Sequence, residues 1–243
     1  STSISTLKIT KNKILNLNSN SSATIGIFLN TGAAVNIFQN KIANLTVNSA
    51  SGICNGINIS GSAVGAYQIH NNTIGNLFSP VADGFNAISG IIATSVSASC
   101  SYDIAYNTIY INAVSTGTGF GSTGIYLAGN GSAGNGSATL RNNIVVNTSV
   151  PTGGSVTSTL RRNIAQLDNL SGLSDHNLYY AGTPSATNLI FTDGSTNSQT
   201  LAAYKTTVGP VRESSSFTEM LSFLSTLATS VNFLHLNPAI ATQ

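Results

Sequence analysis

The feature that most constrains this chain is a recurring six-residue pattern: an apolar residue, two others, Asn, one other, Ile. It reads Ile9-Thr10-Lys11-Asn12-Lys13-Ile14, then Ile37-Phe38-Gln39-Asn40-Lys41-Ile42. It returns as Ile69-His70-Asn71-Asn72-Thr73-Ile74 and as Ile104-Ala105-Tyr106-Asn107-Thr108-Ile109. A fifth copy, Leu140-Arg141-Asn142-Asn143-Ile144, is one residue shorter. Successive copies start 28, 32, 35 and 36 residues apart. A second element keeps phase with the first: Gly26-Ile27, Gly56-Ile57, Gly90-Ile91 and Gly124-Ile125. Its Ile lags the first element by 18, 20, 22 and 21 residues. Two signals in phase over four periods mark a repeat architecture, in which each unit buries its apolar face against the next.

Each element is a short, alternating, β-branched run, so it reads as a strand and not a helix. Stacking each copy on the next, about 4.8 Å along an axis, buries Ile on Ile and pairs the backbone. The Asn interrupts two apolar positions. It is therefore expected in a tight bend, where Asn tolerates positive φ better than most residues. Stacked bends place Asn12, Asn40, Asn72, Asn107 and Asn143 in one column, with side-chain amides bonded along the axis as a structural ladder.

This pattern resembles the right-handed parallel β-helix of the pectate-lyase-like superfamily, its Asn ladder in particular. The strings Asn71-Asn72-Thr73-Ile74 and Asn142-Asn143-Ile144-Val145 look like the PbH1-type repeats of large secreted or cell-surface proteins of the Bacteroidetes type. The resemblance implies an all-β fold: a right-handed parallel β-helix (β-solenoid) over residues 1–165. Residues 166–243 are expected to form an irregular C-terminal capping segment packed on the solenoid, with a short helix near Ser198–Lys205 behind a polar N-cap. Phe217, Met220, Leu221, Leu224 and Leu227 have helical spacing, whereas the resemblance implies extended chain there; the extended reading is taken.

Composition narrows the function classes. Charged residues are 7% of the 243, and the net charge is +2. That is too weak for a phosphate-tracking surface, so a nucleic-acid partner is not expected. No apolar run approaches the roughly 18 residues of a membrane helix. Asn, Ser and Thr exceed a third of the chain, which suits an extracellular or cell-surface location. The chain starts at Ser1 without a basic or apolar leader and is read as a segment of something longer. Cys54 and Cys100 fall at different phases of the repeat, so free, buried thiols are expected rather than a disulfide.

Chemistry is sparse. Asp83 and Asp103 occupy different phases, so stacking does not pair them for acid–base work. His70, His176 and His235 have no ligand spacing, and no metal or cofactor is expected. Arg161 and Arg162, with Asp175 and His176, form the best polar cluster. An ion pair fixing the tail to the last coil is the weightier reading, and an anion or sugar-acid site is the alternative. Tyr102, Tyr106, Tyr110 and Tyr126 crowd the fourth repeat. They read either as a sugar-binding surface or as ordinary packing, the latter carrying more weight. Gly117-Thr118-Gly119-Phe120-Gly121 reads as a flexible loop leaving the coil.

The expected function is a non-catalytic structural or adhesive β-solenoid. It either self-assembles end to end into a filament or forms part of a large surface protein. The alternative is a carbohydrate-binding module, or a polysaccharide lyase or hydrolase, on the same fold. The expected partner is accordingly a second copy or an extracellular polysaccharide.

Overall fold

The computed structural model describes residues 6–30, 34–60, 65–94, 99–129, 136–167 and 169–242. The chain winds as a parallel β-solenoid, each full coil giving one strand to each of three sheets. The first coil holds β1 (Leu7–Thr10), β2 (Lys13–Ser19) and β3 (Ala23–Leu29). The second holds β4 (Ala34–Phe38), β5 (Lys41–Val47) and β6 (Ile53–Ile59), and the third β7 (Gly65–His70), β8 (Thr73–Phe78) and β9 (Ile88–Ala93). The fourth holds β10 (Cys100–Ala105), β11 (Thr108–Ile111) and β12 (Ser122–Leu127), and the fifth β13 (Ser137–Arg141), β14 (Ile144–Asn147) and β15 (Thr157–Arg162). A partial sixth coil follows with β16 (Leu178–Tyr180) and β17 (Asn188–Thr192). We call the sheets A (β1-β4-β7-β10-β13), B (β2 through β16) and C (β3 through β17, with β18, Asn197–Ser198, at its edge).

Register makes the sequence pattern literal. Ile9 pairs with Ile37, Ile37 with Ile69 and Ile69 with Ile104. Ile14, Ile42, Ile74 and Ile109 form a second column, and Ile27, Ile57, Ile91 and Ile125 a third. From the second coil on, these Ile side chains are fully buried. Tyr67 and Tyr102 stack inside sheet A with ring centroids 5.3 Å apart. Cys54 and Cys100 are buried and form no disulfide with each other, in keeping with their different phases. Burial pushes the Cys54 thiol up to about 12, so it stays a neutral core residue.

The Gly of each Gly-Ile element answers a close approach both to the next strand of sheet C and to sheet B. A Cβ on Gly90 would lie 2.6 Å from the Gly124 carbonyl oxygen and 2.6 Å from Ile109 Cγ2. The backbone oxygen cannot yield. Gly90→Ala is therefore expected to cost about 3 kcal/mol, the upper end for overpacking. Gly84→Ala, whose Cβ would meet nothing closer than 3.9 Å, should change stability little. Urea denaturation of the two variants checks the contrast.

The Asn column forms as expected, with one correction to its backbone. The left-handed residue is not the ladder Asn but the one before it: Lys11, Gln39, Asn71, Tyr106, Asn142 and His176, with φ between 54° and 59°. That residue makes the corner. The ladder Asn then points inward, and its Nδ2 donates to the next Asn Oδ1, at 3.0 Å from Asn12, 3.0 Å from Asn40, 2.9 Å from Asn72 and 3.0 Å from Asn107. The same Oδ1 accepts the preceding Asn backbone N–H. From Asn40 on, Nδ2 also donates to a carbonyl of the preceding coil. No residue is missing from the fifth copy: Ile144 stands opposite Thr108 and Val145 opposite Ile109.

The ladder also runs past Asn163, where the sequence rhythm fades. Asn143 Nδ2 donates to Asn177 Oδ1 at 3.0 Å. Asn177 in turn donates to Glu213 Oε2 at 3.0 Å, and its backbone N–H to Ser216 Oγ. Since every rung donates toward the C-terminal end, the last rung needs an acceptor with no rung behind it. A buried carboxylate meets that need.

The C-terminal chain does two separate jobs. Helix α1 (Leu201–Val208) is N-capped by Thr200, whose hydroxyl accepts from Ala203 N–H, and it buries Leu201, Tyr204 and Val208. Tyr204 stacks on Phe191 at 5.0 Å and meets Tyr179 edge-on at 5.8 Å, so the helix closes the end of the coil stack. Residues 217–236 form neither the helix their spacing allowed nor a single extended run; they lie on the outer face of sheet B and fold back on themselves, with Leu224 N–H donating to His235 O and Leu234 N–H to Ser225 O, both at 2.8 Å. Leu221, Phe233 and Leu234 bury against Ala43, Tyr110 and Val146. Lys41 Nζ donates to Ser230 O at 2.8 Å and lies 4.9 Å from the Phe233 ring centroid. This strap is held by an apolar trough that small outer residues, Ala43 and Gly75, leave open.

Candidate functional site

The sequence-derived candidates are dispersed around the solenoid, and some of them lie in its core. Tyr102 is in the core, on Tyr67. Tyr106 makes the corner between sheets A and B and is 55% exposed. Tyr110 lies beneath the strap, edge-on to Phe223 at 5.5 Å. Tyr126 is on the outer face of sheet C, paired in register with Arg161. The tyrosines therefore form no shared platform, and three of the four follow the packing reading or stand apart.

Arg161 and Arg162 also part company. Arg162 points inward, is fully buried and donates from Nη2 to the Gln166 carbonyl. Neither arginine pairs with Asp175. Asp175 instead accepts from Ser215 N–H at 2.7 Å, Ser214 Oγ at 3.0 Å and His176 N–H at 2.8 Å. Burial alone would raise its carboxyl, but these hydrogen bonds outweigh it and hold the group below the usual range. The tail is thus tied to the last coil by hydroxyl and amide donors, because Arg161 faces out from sheet C on another side of the coil.

Two polar clusters were not visible in the sequence. On sheet A, Arg141 Nη2 lies 2.8 and 2.9 Å from the Asp103 oxygens, and His70 Nε2 lies 3.1 Å from Oδ2. Three successive coils supply these residues, at spacings that only the register reveals. The cluster is a solvent-accessible ion network of modest energetic weight. Asp83 is remote from it and accepts from Thr118 at 3.0 Å.

The second cluster surrounds Arg161 and is the candidate site. Loops 79–87, 115–121 and 150–156 stack over one edge of sheet C, against the expectation of a flexible Gly117–Gly121 loop. Thr116 N–H donates to Pro80 O, Thr152 N–H to Phe120 O and Ser155 Oγ to Gly119 O. The glycines are what let these loops lie so close: a Cβ on Gly121 would be 2.2 Å from Phe85 O. The stack forms one wall of a groove of about 290 Å³, lined by Phe85, Gly153–Val156, Arg161, Thr192, Gly194 and Asn197.

Arg161 is only 8% exposed. Its Nε donates to Thr123 Oγ1 at 3.0 Å, and its guanidinium carbon lies 5.4 Å from the Phe85 ring centroid. Burial pulls the guanidinium below its ordinary value, and the neighbouring Tyr126 counters this in part. Burial likewise pushes the Tyr126 phenol up, against the pull of Arg161. The phenol therefore stays neutral and supplies no countercharge. Among the described residues, no three His, Cys, Asp or Glu side chains are placed to hold a metal, and no helix is long and apolar enough to cross a membrane. Comparison with protein-family models, with curated proteins and with solved structures finds no match in any of the three.

Proposed function

We propose that this chain is a non-catalytic structural or adhesive β-solenoid module of an extracellular or cell-surface protein. The observation that carries the reading is the continuous polar ladder from Asn12 to Asn177, ended by Glu213 and reinforced by the strap along sheet B. These devices commit buried polar groups to rigidity along the axis. The polar, weakly charged composition supports an extracellular setting. The Asn column at the bend supports kinship with the PbH1-type, pectate-lyase-like solenoids. Of the two structural variants, a module within a surface protein is favoured over an end-to-end filament. Growth through the C-terminal end would have to displace α1 and its buried Tyr204.

The second reading, a carbohydrate-binding or polysaccharide-cleaving solenoid, draws on the groove beside Phe85 and Arg161. Electron microscopy of the purified chain, run with a panel of acidic and neutral polysaccharides, separates the readings. Discrete short rods and no release of reducing or unsaturated ends are expected. Turnover of a polysaccharide that is lost in Asp103→Asn or Arg161→Gln would overturn the non-catalytic reading. Long axial filaments would overturn the preference for a module.

A further inference from the structure

We propose that the sheet C groove is a binding site for a carboxylate carried on a compact ring with an apolar face, and that Arg161 is its anchor.

The starting point is an uncompensated charge. Arg161 is more than nine-tenths buried and makes no ion pair among the described residues. Burying a cation without a counterion is costly. Its Nε is occupied by Thr123, and Tyr126 beside it is neutral. Asp193, between the lining residues Thr192 and Gly194, makes no ion pair with Arg161, and its Oδ1 accepts from Ser195 N–H at 2.9 Å, Ser195 Oγ at 2.8 Å and Thr196 N–H at 2.6 Å. The two terminal nitrogens of Arg161 bond to no described residue, and the side chain lines the groove. What remains is an end-on fork of N–H donors, the geometry that matches the two oxygens of a carboxylate.

The rest of the groove sets the shape of the ligand. Phe85 is 65% exposed, so most of its ring stays available beyond its contact with the guanidinium. Gly154 and Gly194 present bare backbone, with open space where a Cβ would be. A volume of about 290 Å³ is at the small end for ligand pockets, roughly 300 Å³, and holds one ring rather than a chain. A carboxylate on the guanidinium with the ring against Phe85 neutralises the buried charge and covers the exposed aromatic together. The ligand is free to be an aromatic or alicyclic acid or a single sugar acid, because the shared chemistry is the carboxylate beside a ring face.

The proposal goes beyond the structural reading, and its failure would leave the rod intact. The test is titration of the full chain with benzoate, benzyl alcohol, D-glucuronate, D-glucose and acetate, followed by NMR of the Arg161 Nε–H and the Phe85 ring. Saturable benzoate binding with a Kd of about 1 mM is expected, with benzyl alcohol at least tenfold weaker. Glucuronate binding without glucose binding would identify a sugar acid as the source; benzoate alone would identify a non-sugar acid. Arg161→Gln should weaken benzoate at least about tenfold, and Phe85→Ala should erase the preference for benzoate over acetate, both with unchanged melting temperature. Should Arg161→Gln fail to fold, Arg161→Lys keeps the charge, loses the fork and should still bind several-fold more weakly. Failure of both benzoate and glucuronate to bind at about 50 mM overturns the proposal. So does equal binding of benzyl alcohol, or unchanged benzoate affinity in the arginine variant.

Discussion

Asn107→Ala is expected to cost about 4 kcal/mol, a large share of the roughly 5–15 kcal/mol that holds a domain folded. Asn107 sits at the middle of the ladder with no exposed surface. Its Oδ1 accepts from Asn72 N–H at 3.0 Å and from Asn72 Nδ2 at 2.9 Å. Its Nδ2 donates to Ile69 O at 2.7 Å and to Asn143 Oδ1 at 3.0 Å. Alanine removes all four bonds. It strands the Asn72 backbone N–H and one Asn72 Nδ2 hydrogen away from water, and each such group costs about 1–3 kcal/mol. Asn12→Ala makes the same chemical change at an exposed rung that loses one side-chain bond. It should cost about 1 kcal/mol or less. Denaturant titration of both variants measures the ratio. Equal, small losses would mean the ladder is decorative.

Glu213→Ala should be comparably damaging, at about 3–5 kcal/mol. Glu213 is fully buried and accepts from Asn177 Nδ2, from Tyr179 Oη at 3.1 Å and from Ser216 Oγ. Its removal leaves three buried donors facing a void. Glu213→Gln keeps one acceptor oxygen and should cost far less, and its effect depends on pH. Burial raises the Glu213 carboxyl, and the bonds from Ser216, Asn177 and Tyr179 offset this only in part. A raised folded pKa means that the stabilising contribution of the protonated acid is fully present below the unfolded value of about 4.3 and is lost as pH rises through the folded value. Glutamine does not titrate. The variant should therefore gain stability relative to the parent as pH climbs from about 4 to 7. Asp175 titrates in the opposite sense in both proteins, since its carboxyl is held low. Its charge is also one of the causes that raise the Glu213 carboxyl, so it enters the comparison in the same direction as burial. A difference between parent and variant that does not change over that range would contradict the assignment.

The repeat in the sequence carried most of the fold. The Ile columns and the five expected ladder positions follow directly from the spacing, because a period-2 strand pattern leaves no other register that buries every Ile. The corner lay one residue earlier than expected. Both Asn and its predecessor are polar, and composition does not say which of two neighbours takes positive φ. The sixth rung was missed because its copy reads Ser174-Asp175-His176-Asn177-Leu178-Tyr179. Ser174 replaces the apolar residue there, with its hydroxyl accepting the Leu140 N–H. Tyr179 replaces Ile, its larger ring meeting Tyr204 of the helix.

The candidate site was far less legible. Arg161 stood out as a charge in a chain nearly without charges, but its surroundings did not. Phe85 and Gly153–Val156 come from loops of different coils and Asn197 from β18, and they share no period with one another. Only the stacking of those loops brings them together. The tyrosines show the converse. Alternation says which strand face each occupies, yet not that the strap covers Tyr110 or that Tyr102 stacks on Tyr67. Likewise, the network of His70, Asp103 and Arg141 depends on parallel register across three coils.

Hydrogen exchange of the Asn side-chain amides, resolved by NMR, tests the ladder most directly. The Nδ2 protons of Asn40, Asn72, Asn107, Asn143 and Asn177 are buried and doubly bonded. They should exchange as slowly as core backbone amides, through global unfolding alone. Exposed Asn16 and Asn18 should exchange freely. Five ladder amides exchanging at the rate of those two surface residues would contradict a continuous axial ladder and the register built on it.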